Sequence, residues 1–171
     1  MRNLSDSVGE MPLIVAELSG NHGGSLKKAL ELVVSAKNAG ADAVKLQTYK
    51  PETITVNSRK QNFLIKDGLW KGKYLHDLYQ EAMTPWEWHR EIDQKAKELG
   101  LFCFSSPFDE TAVDFLEDQI NPPFYKIASF ELNHIPLLKK IGLLKKTVFA
   151  SVGVSNDDEI KLALETARSS T

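Results

Sequence analysis

Sulfur chemistry is nearly absent from this sequence. Cys103 is its single cysteine, so no internal disulfide can form, and a reducing, cytoplasmic setting is expected. Long apolar runs are missing too. None approaches the roughly 20 residues that span a bilayer. The polar start MRNLSDSVGEMP lacks the apolar stretch of a signal peptide, so neither membrane insertion nor export is expected. Charge of one sign is not in excess: the formal net charge is −2 over 171 residues, which leaves no basic footprint for a nucleic acid. The four histidines, His22, His76, His89 and His134, show no metal-ligand spacing, and no metal site is assignable from them. The tract SGNHGG lacks the lysine–serine ending of a phosphate loop and reads as a tight turn. Cys103 lies inside the apolar pattern LFCF, the setting of a buried structural thiol rather than a nucleophile.

What the sequence does have is a repeated strand–helix pattern. Pro12–Leu18, Ala43–Thr48, Leu101–Ser105, Phe124–Ala128 and Thr147–Val152 read as strands. Helices follow: one from Ser25, with Leu26, Ala29, Leu30, Val33 and Val34 on one face and Gly40 as its stop. A second is expected from Thr84 as N-cap, with Pro85 first and Glu87 completing a capping box, running to about Leu99. Asp109 caps a short helix through Leu116, Ile135–Ile141 is another, and Ser155 with Asp158 opens the last. Such alternation implies right-handed crossovers and a parallel sheet. Two α/β architectures fit: an open five-stranded sheet, or five βα units of a (β/α)8 TIM-type barrel, which closes with eight.

One connection is out of scale. Tyr49 to Met83 spans about 35 residues, where βα loops usually run about 2–6. It carries Trp70, Tyr74, His76 and Tyr79, and Leu75, Leu78, Tyr79 and Ala82 have helical spacing. An insertion at the active-site end of a strand suits a lid or a specificity loop, against a plain surface elaboration.

Each strand pattern ends in polar or charged residues: Glu17; Lys45, Gln47 and Thr48; Ser105 and Ser106; Lys126, Ser129 and Glu131; Ser151. In parallel α/β folds the carboxyl ends of the strands carry the chemistry. Lys45 and Gln47 share one side of their strand, with Val44 and Leu46 turned to the helices. Lys126 interrupts an otherwise apolar strand, which is costly unless its ammonium finds an anion. Two lysines converging with the hydroxyls of Thr48, Ser106 and Ser129 would cradle phosphate and carboxylate. The competing reading is a salt bridge from each lysine to an internal acid such as Glu17 or Glu131. Those two carboxylates could divide acid, base and hydroxyl-orienting roles.

At these residues a resemblance appears. VAELSGNHGGSL resembles the IxEIGxNHxG start of the N-acetylneuraminate (sialic acid) synthase family, and VKLQTYK its VKxQT segment. FSSPFD is similar to its STPF, YKIASFEL to its KIxSxE, and ASVGVS to a degraded STGM, with Val152 in place of the threonine. The SFE variant and the MTPWEWH tract look most like the pseudaminic-acid branch. The resemblance implies the N-terminal part of a TIM barrel over 1–171, with the insertion at about 49–83 and without the C-terminal antifreeze-like domain. It implies a transferase that condenses phosphoenolpyruvate with a 2,4-diacetamido-trideoxy hexose into a nine-carbon sialic-acid-like sugar. Lys45, Gln47, Ser106, Lys126 and Ser129 would hold phosphoenolpyruvate, while Glu17, as the catalytic group, and Glu131 would face the sugar. A divalent metal, Mn or Mg, is implied with ligands on later strands outside this chain, so the chain alone is expected to be inactive.

Two alternatives stay open. One is the same chemistry on N-acetylmannosamine, giving N-acetylneuraminate. The other, of a different class, is a non-catalytic remnant that binds an anion or a partner. An open sheet edge invites association, a homo-oligomer among the outcomes.

Overall fold

A computed structural model describes residues 12–169 of the chain. Five parallel strands form one sheet: β1 (Val15–Glu17), β2 (Ala43–Thr48), β3 (Phe102–Pro107), β4 (Phe124–Ile127) and β5 (Thr147–Ala150). Their spatial order is their chain order, β1-β2-β3-β4-β5. A doubly wound sheet reverses direction at a switch point. Here nothing reverses, so successive crossovers of one hand lay the helices along one face of the sheet. This is the wall of a (β/α)8 barrel, and of the two architectures that fit the sequence it is the one found.

Side-chain alternation sorts the strand residues between that helical face and the barrel interior. Val44 and Leu46 of β2 and Cys103 of β3 pack with Ala29, Val33 and Ala36 of α1 (Leu26–Asn38) and with Ile92 and Ala96 of α4 (His89–Glu98). Tyr125 and Ile127 of β4 pack with α5 (Glu110–Gln119), α6 (Ile135–Gly142) and α7 (Asp157–Ser169). The opposite face holds Phe104, Phe124 and Phe149, with ring centroids 4.4 Å apart for the first two and 5.4 Å for the second two. The inner strands are buried, whereas β1 and β5 leave Val15, Val148 and Phe149 each 37% exposed.

The β2 limits match the expected ones, and the expected start of α1 holds. Ser25 Oγ accepts from the Lys28 N–H at 3.3 Å, and Gly40, at φ +87°, terminates the helix. Asp109 caps α5 as expected, the helix running three residues past Leu116. Two start signals differ. Pro85 is extended at ψ 133°, so the chain enters a 3₁₀ turn, Trp86–Trp88, before α4, and Thr84 turns its buried hydroxyl to His22 instead of capping. At α7 the reciprocal cap is Asn156 with Glu159, at 2.8 and 3.0 Å, one residue beyond the expected Ser155 and Asp158.

The insertion is ordered. It contains α2 (Pro51–Ile54), a 3₁₀ turn at Gln61–Phe63, an antiparallel bridge between Leu64 and Tyr74, and the expected helix, α3 (Leu75–Ala82). A two-pronged Arg59–Asp77 pair, a Lys73–Glu81 pair and a 3.2 Å contact from His76 to Glu52 hold it together. No helix among the described residues is long and apolar enough to cross a membrane.

Candidate functional site

Register puts the chemistry in one place. Glu17 pairs with Lys45 across β1 and β2, and Gln47 with Ser106 across β2 and β3. Ser105 pairs with Tyr125, which sets Ser106 beside Lys126 one residue on. These side chains point into the barrel at the carboxyl ends of the strands.

The two lysines feel each other. Burial pushes the Lys45 ammonium down to about 8, and the neighbouring charge of Lys126 pushes the same way. Burial also lowers Lys126, against the opposing pull of Glu131. Lys45 is in contact with the Glu17 carboxylate, which works against its downward shift. The salt bridge weighed from sequence is therefore present for Lys45. For Lys126 the partners are neutral: its ammonium donates to the Ile127 carbonyl at 2.8 Å and to Ser151 Oγ. Of the two acids near these partly buried cations only Glu17 is in contact with one, while burial raises the Glu131 carboxyl toward its neutral form, so an anion placed between the ammoniums would be attracted by both.

Ser129 and Glu131 follow β4 in a 3₁₀ turn, Ser129–Glu131. Burial raises the Glu131 carboxyl, and its buried Oε2 has no hydrogen-bond partner. Gly153, after β5, comes close to Ser129: a Cβ built there would lie 4.0 Å from its hydroxyl.

Thr48 is elsewhere. Its side chain follows Val44 and Leu46 to the helical face, where it is fully buried. Its hydroxyl lies 2.8 Å from His89 Nε2 and 2.6 Å from Ser105 Oγ, while His89 Nδ1 reaches the Pro85 carbonyl at 3.3 Å. Burial holds the His89 ring down to about 4, so it is neutral, donating from Nδ1 and accepting at Nε2. Ser105, Thr48, His89 and Pro85 form a closed chain with nothing left to offer a ligand. His22 is similarly enclosed. Its Nδ1 accepts from the Gly24 N–H at 3.1 Å, its Nε2 lies 3.4 Å from Thr84 Oγ1, and its ring meets Trp88 edge-on. SGNHGG is a structural turn. Cys103 is buried, and desolvation drives its thiol up, away from reactivity.

Sequence reasoning did not assemble the wall above Gln47. The insertion packs α3 against the SGNHGG turn so closely that a Cβ on Gly20 would lie 2.9 Å from the Ala82 carbonyl. Between them is a cavity of about 570 Å³ reaching Gln47. The aromatic content of the insertion was the available signal, but no periodicity says which ring turns inward. Ser151, noted only as a strand end, is the other addition, through Lys126.

The sequence model of the NeuB family matches residues 32–171. The pseudaminic acid synthase of Campylobacter jejuni serotype O:2 is 48% identical over 147 residues, covering 86% of this chain and 43% of that protein. The pseudaminic acid synthase of Helicobacter pylori is 44% identical over 157 residues, covering 92% and 46%. The crystal structure of an N-acetylneuraminic acid synthetase from Leptospira borgpetersenii superposes with a TM-score of 0.79 at 24% identity, over 94% of this chain and 51% of that one, which shows the shared fold. The chain thus spans less than half the length of the curated relatives it matches.

Proposed function

The chain belongs to the NeuB family, and we propose that it supplies the phosphoenolpyruvate-holding strand ends of a pseudaminic-acid-type synthase. In that reading phosphoenolpyruvate and a 2,4-diacetamido-trideoxy hexose condense to a nine-carbon sialic-acid-like sugar. The observation that carries it is the pair Lys45 and Lys126, turned into the barrel with a single carboxylate, Glu17, in contact.

Lys45, Gln47, Ser106, Lys126 and Ser129 would hold the phosphate and carboxylate. Thr48 is not part of the proposal, because its hydroxyl is committed to His89 and Ser105. As C3 of phosphoenolpyruvate attacks the sugar aldehyde carbon and water adds at C2, charge grows on the departing phosphate. Two fixed ammoniums beside it would stabilise that charge. An anion entering between them also competes with Glu17 for Lys45. That would free the Glu17 carboxylate to move a proton at the sugar aldehyde or ring hydroxyl, with Glu131 facing the same substrate.

Among the described residues no group of three or more His, Cys, Asp or Glu side chains could hold the divalent ion that the family implies, and in this reading its ligands belong to later strands of the barrel. The same reading takes residues 1–171 as the N-terminal part of the barrel, with 49–83 inserted and the antifreeze-like domain outside this chain. A cytoplasmic setting belongs to it as well, supported by the free, buried thiol of Cys103. Association between copies through the edges of β1 and β5, whose apolar side chains are exposed, belongs instead to the case in which no further strands close the barrel.

Calorimetric titration of the chain with inorganic phosphate and phosphoenolpyruvate tests the proposal. Binding should be measurable and should weaken more than tenfold in Lys126→Ala. Equal affinity in the variant would remove Lys126 from the site and the proposal with it.

A further inference from the structure

We propose that the cavity between the insertion and the SGNHGG turn seats the acetamido groups of the sugar, with Trp70 as its specificity-determining residue. This rests on the synthase reading above and adds which part of the chain selects the sugar.

The cavity has two unlike walls. Trp70, Leu78, Tyr79 and Ala82 of the insertion give one of them an apolar surface, with Glu81, paired to Lys73, as its charged member. Ser19, Asn21 and Gln47 bring hydrogen-bonding groups from the barrel side. At about 570 Å³ it falls within the range of about 300–1,000 Å³ common for small-molecule sites. An acetamido group needs both walls: its methyl seeks an apolar, preferably aromatic surface, and its amide N–H and C=O need polar partners once water is expelled. A sugar carrying two such groups and lacking a hydroxyl at C6 gains more from an aromatic wall than one with a single acetamido group and a hydroxymethyl.

The apolar wall is held in place from below. Tyr49, 3% exposed, donates its hydroxyl to the Tyr79 carbonyl at 3.3 Å and meets the Tyr79 and Phe108 rings edge-on. The close approach of Gly20 to Ala82 fixes the far end of α3 against the turn. Trp70 is different. It lines the cavity and is 49% exposed, so it offers apolar area that water covers until a ligand does. The location also suits the reaction, because Gln47 is common to the cavity and to the row of residues that includes Lys45 and Ser106.

The test is binding to the chain in the presence of saturating phosphoenolpyruvate. Two sugars are titrated, 2,4-diacetamido-2,4,6-trideoxyhexose and N-acetylmannosamine, while the indole N–H resonances are followed by nitrogen-15 NMR. Trp86 is an internal reference, since its indole N–H is already committed to the Tyr49 carbonyl at 3.0 Å. The expected result is a Trp70 shift that saturates at lower concentration for the diacetamido sugar. Trp70→Ala should then weaken that sugar at least fivefold and leave phosphoenolpyruvate affinity unchanged, with Trp70→Phe restoring part of the loss. Unaltered sugar affinity in Trp70→Ala, or no sugar binding to the parent chain, overturns the inference even where phosphoenolpyruvate binds normally. Failure of phosphoenolpyruvate itself to bind counts instead against the synthase reading.

Discussion

Adjacent residues at the same strand ends have opposite fates. Gln47 and Ser106 face the barrel interior beside two ammoniums, while Thr48 and Ser105, one residue away on each strand, face the helices. On the helical face Ser105, Thr48 and His89 each have a partner, and the chain they form ends on the Pro85 carbonyl. On the interior face the accounts stay open: Lys126 is met only by neutral oxygens, and Glu131 Oε2 has no partner. Polar groups one residue apart thus close on one another on one side and are left partly unpaired on the other. Satisfaction of hydrogen bonds, more than residue type, separates the two.

The sharpest way to break that contrast is to open the closed side. His89→Ala removes a fully buried ring and leaves the Thr48 hydroxyl with Ser105 alone as partner, and should cost about 3 kcal/mol of stability. Thr48→Val keeps the volume but leaves the His89 and Ser105 groups short of a partner, at about 1–3 kcal/mol. Neither should change phosphate affinity by more than about twofold, since neither side chain faces the lysines. Denaturant unfolding gives the first quantity and calorimetry the second. A tenfold loss of phosphate affinity in Thr48→Val would return that hydroxyl to the site.

Acid should open the same side without mutation. The His89 ring has its folded value lowered to about 4 from an ordinary 6.5, by burial. Between those two values the unfolded chain binds the extra proton and the folded chain does not. The stabilisation from keeping His89 neutral is therefore complete above about 6.5 and lost progressively as pH falls through about 4. Its size is about 3 kcal/mol across the window. His89→Gln should flatten the acid limb of stability against pH. An unchanged slope would mean that other groups govern it.

Parity along β2 was legible in the sequence, since Lys45 and Gln47 alternate with Val44 and Leu46. The same parity carries Thr48 to the helical side, so the strand pattern held the information that its hydroxyl faces away from the lysines. The strand order was not legible, because alternation of strands and helices is common to barrels and open sheets; only the pairing of β1 through β5 decided it. Local start signals were legible where one side chain caps its own helix, as Ser25 and Asp109 do. They failed where a distant partner took the group, as His22 took Thr84. The wall built by Trp70 and Tyr79 depends on how a 35-residue insertion folds back on a glycine turn, which no local pattern encodes.

On the open side, Glu17 offers the next test. In a full-length enzyme carrying these residues, Glu17→Gln should lower turnover more than tenfold, because the amide keeps the volume but cannot move a proton. The ion pair adds a second expectation. Without the carboxylate against Lys45, phosphoenolpyruvate should bind as tightly as before or slightly more tightly. Steady-state kinetics with both substrates varied separates the roles. Full turnover with tighter phosphoenolpyruvate binding would leave Glu17 as a counter-ion alone.

The smallest expected effect lies in the pH dependence of anion binding. Lys45 has its ammonium lowered from about 10.5 to about 8, first by burial and then by Lys126. The phosphate ester of phosphoenolpyruvate, with a second pKa of about 6, is mostly dianionic above pH 7, so a change in its binding between pH 7 and 9 reports chiefly the protein. As pH rises through about 8 the charged fraction of Lys45 falls, and affinity for phosphoenolpyruvate should fall with it, by about threefold to tenfold at pH 9. Glu17, in contact with the ammonium, resists that loss, so Glu17→Gln should move the decline to lower pH. Lys45→Arg, charged throughout this range, should bind without the decline. A flat profile in the parent chain would show that Glu17 holds Lys45 charged over the whole window. The interior face would then be as fully paired at Lys45 as the helical face is at Thr48, and Lys126 would be left as the cation that makes the two sides differ.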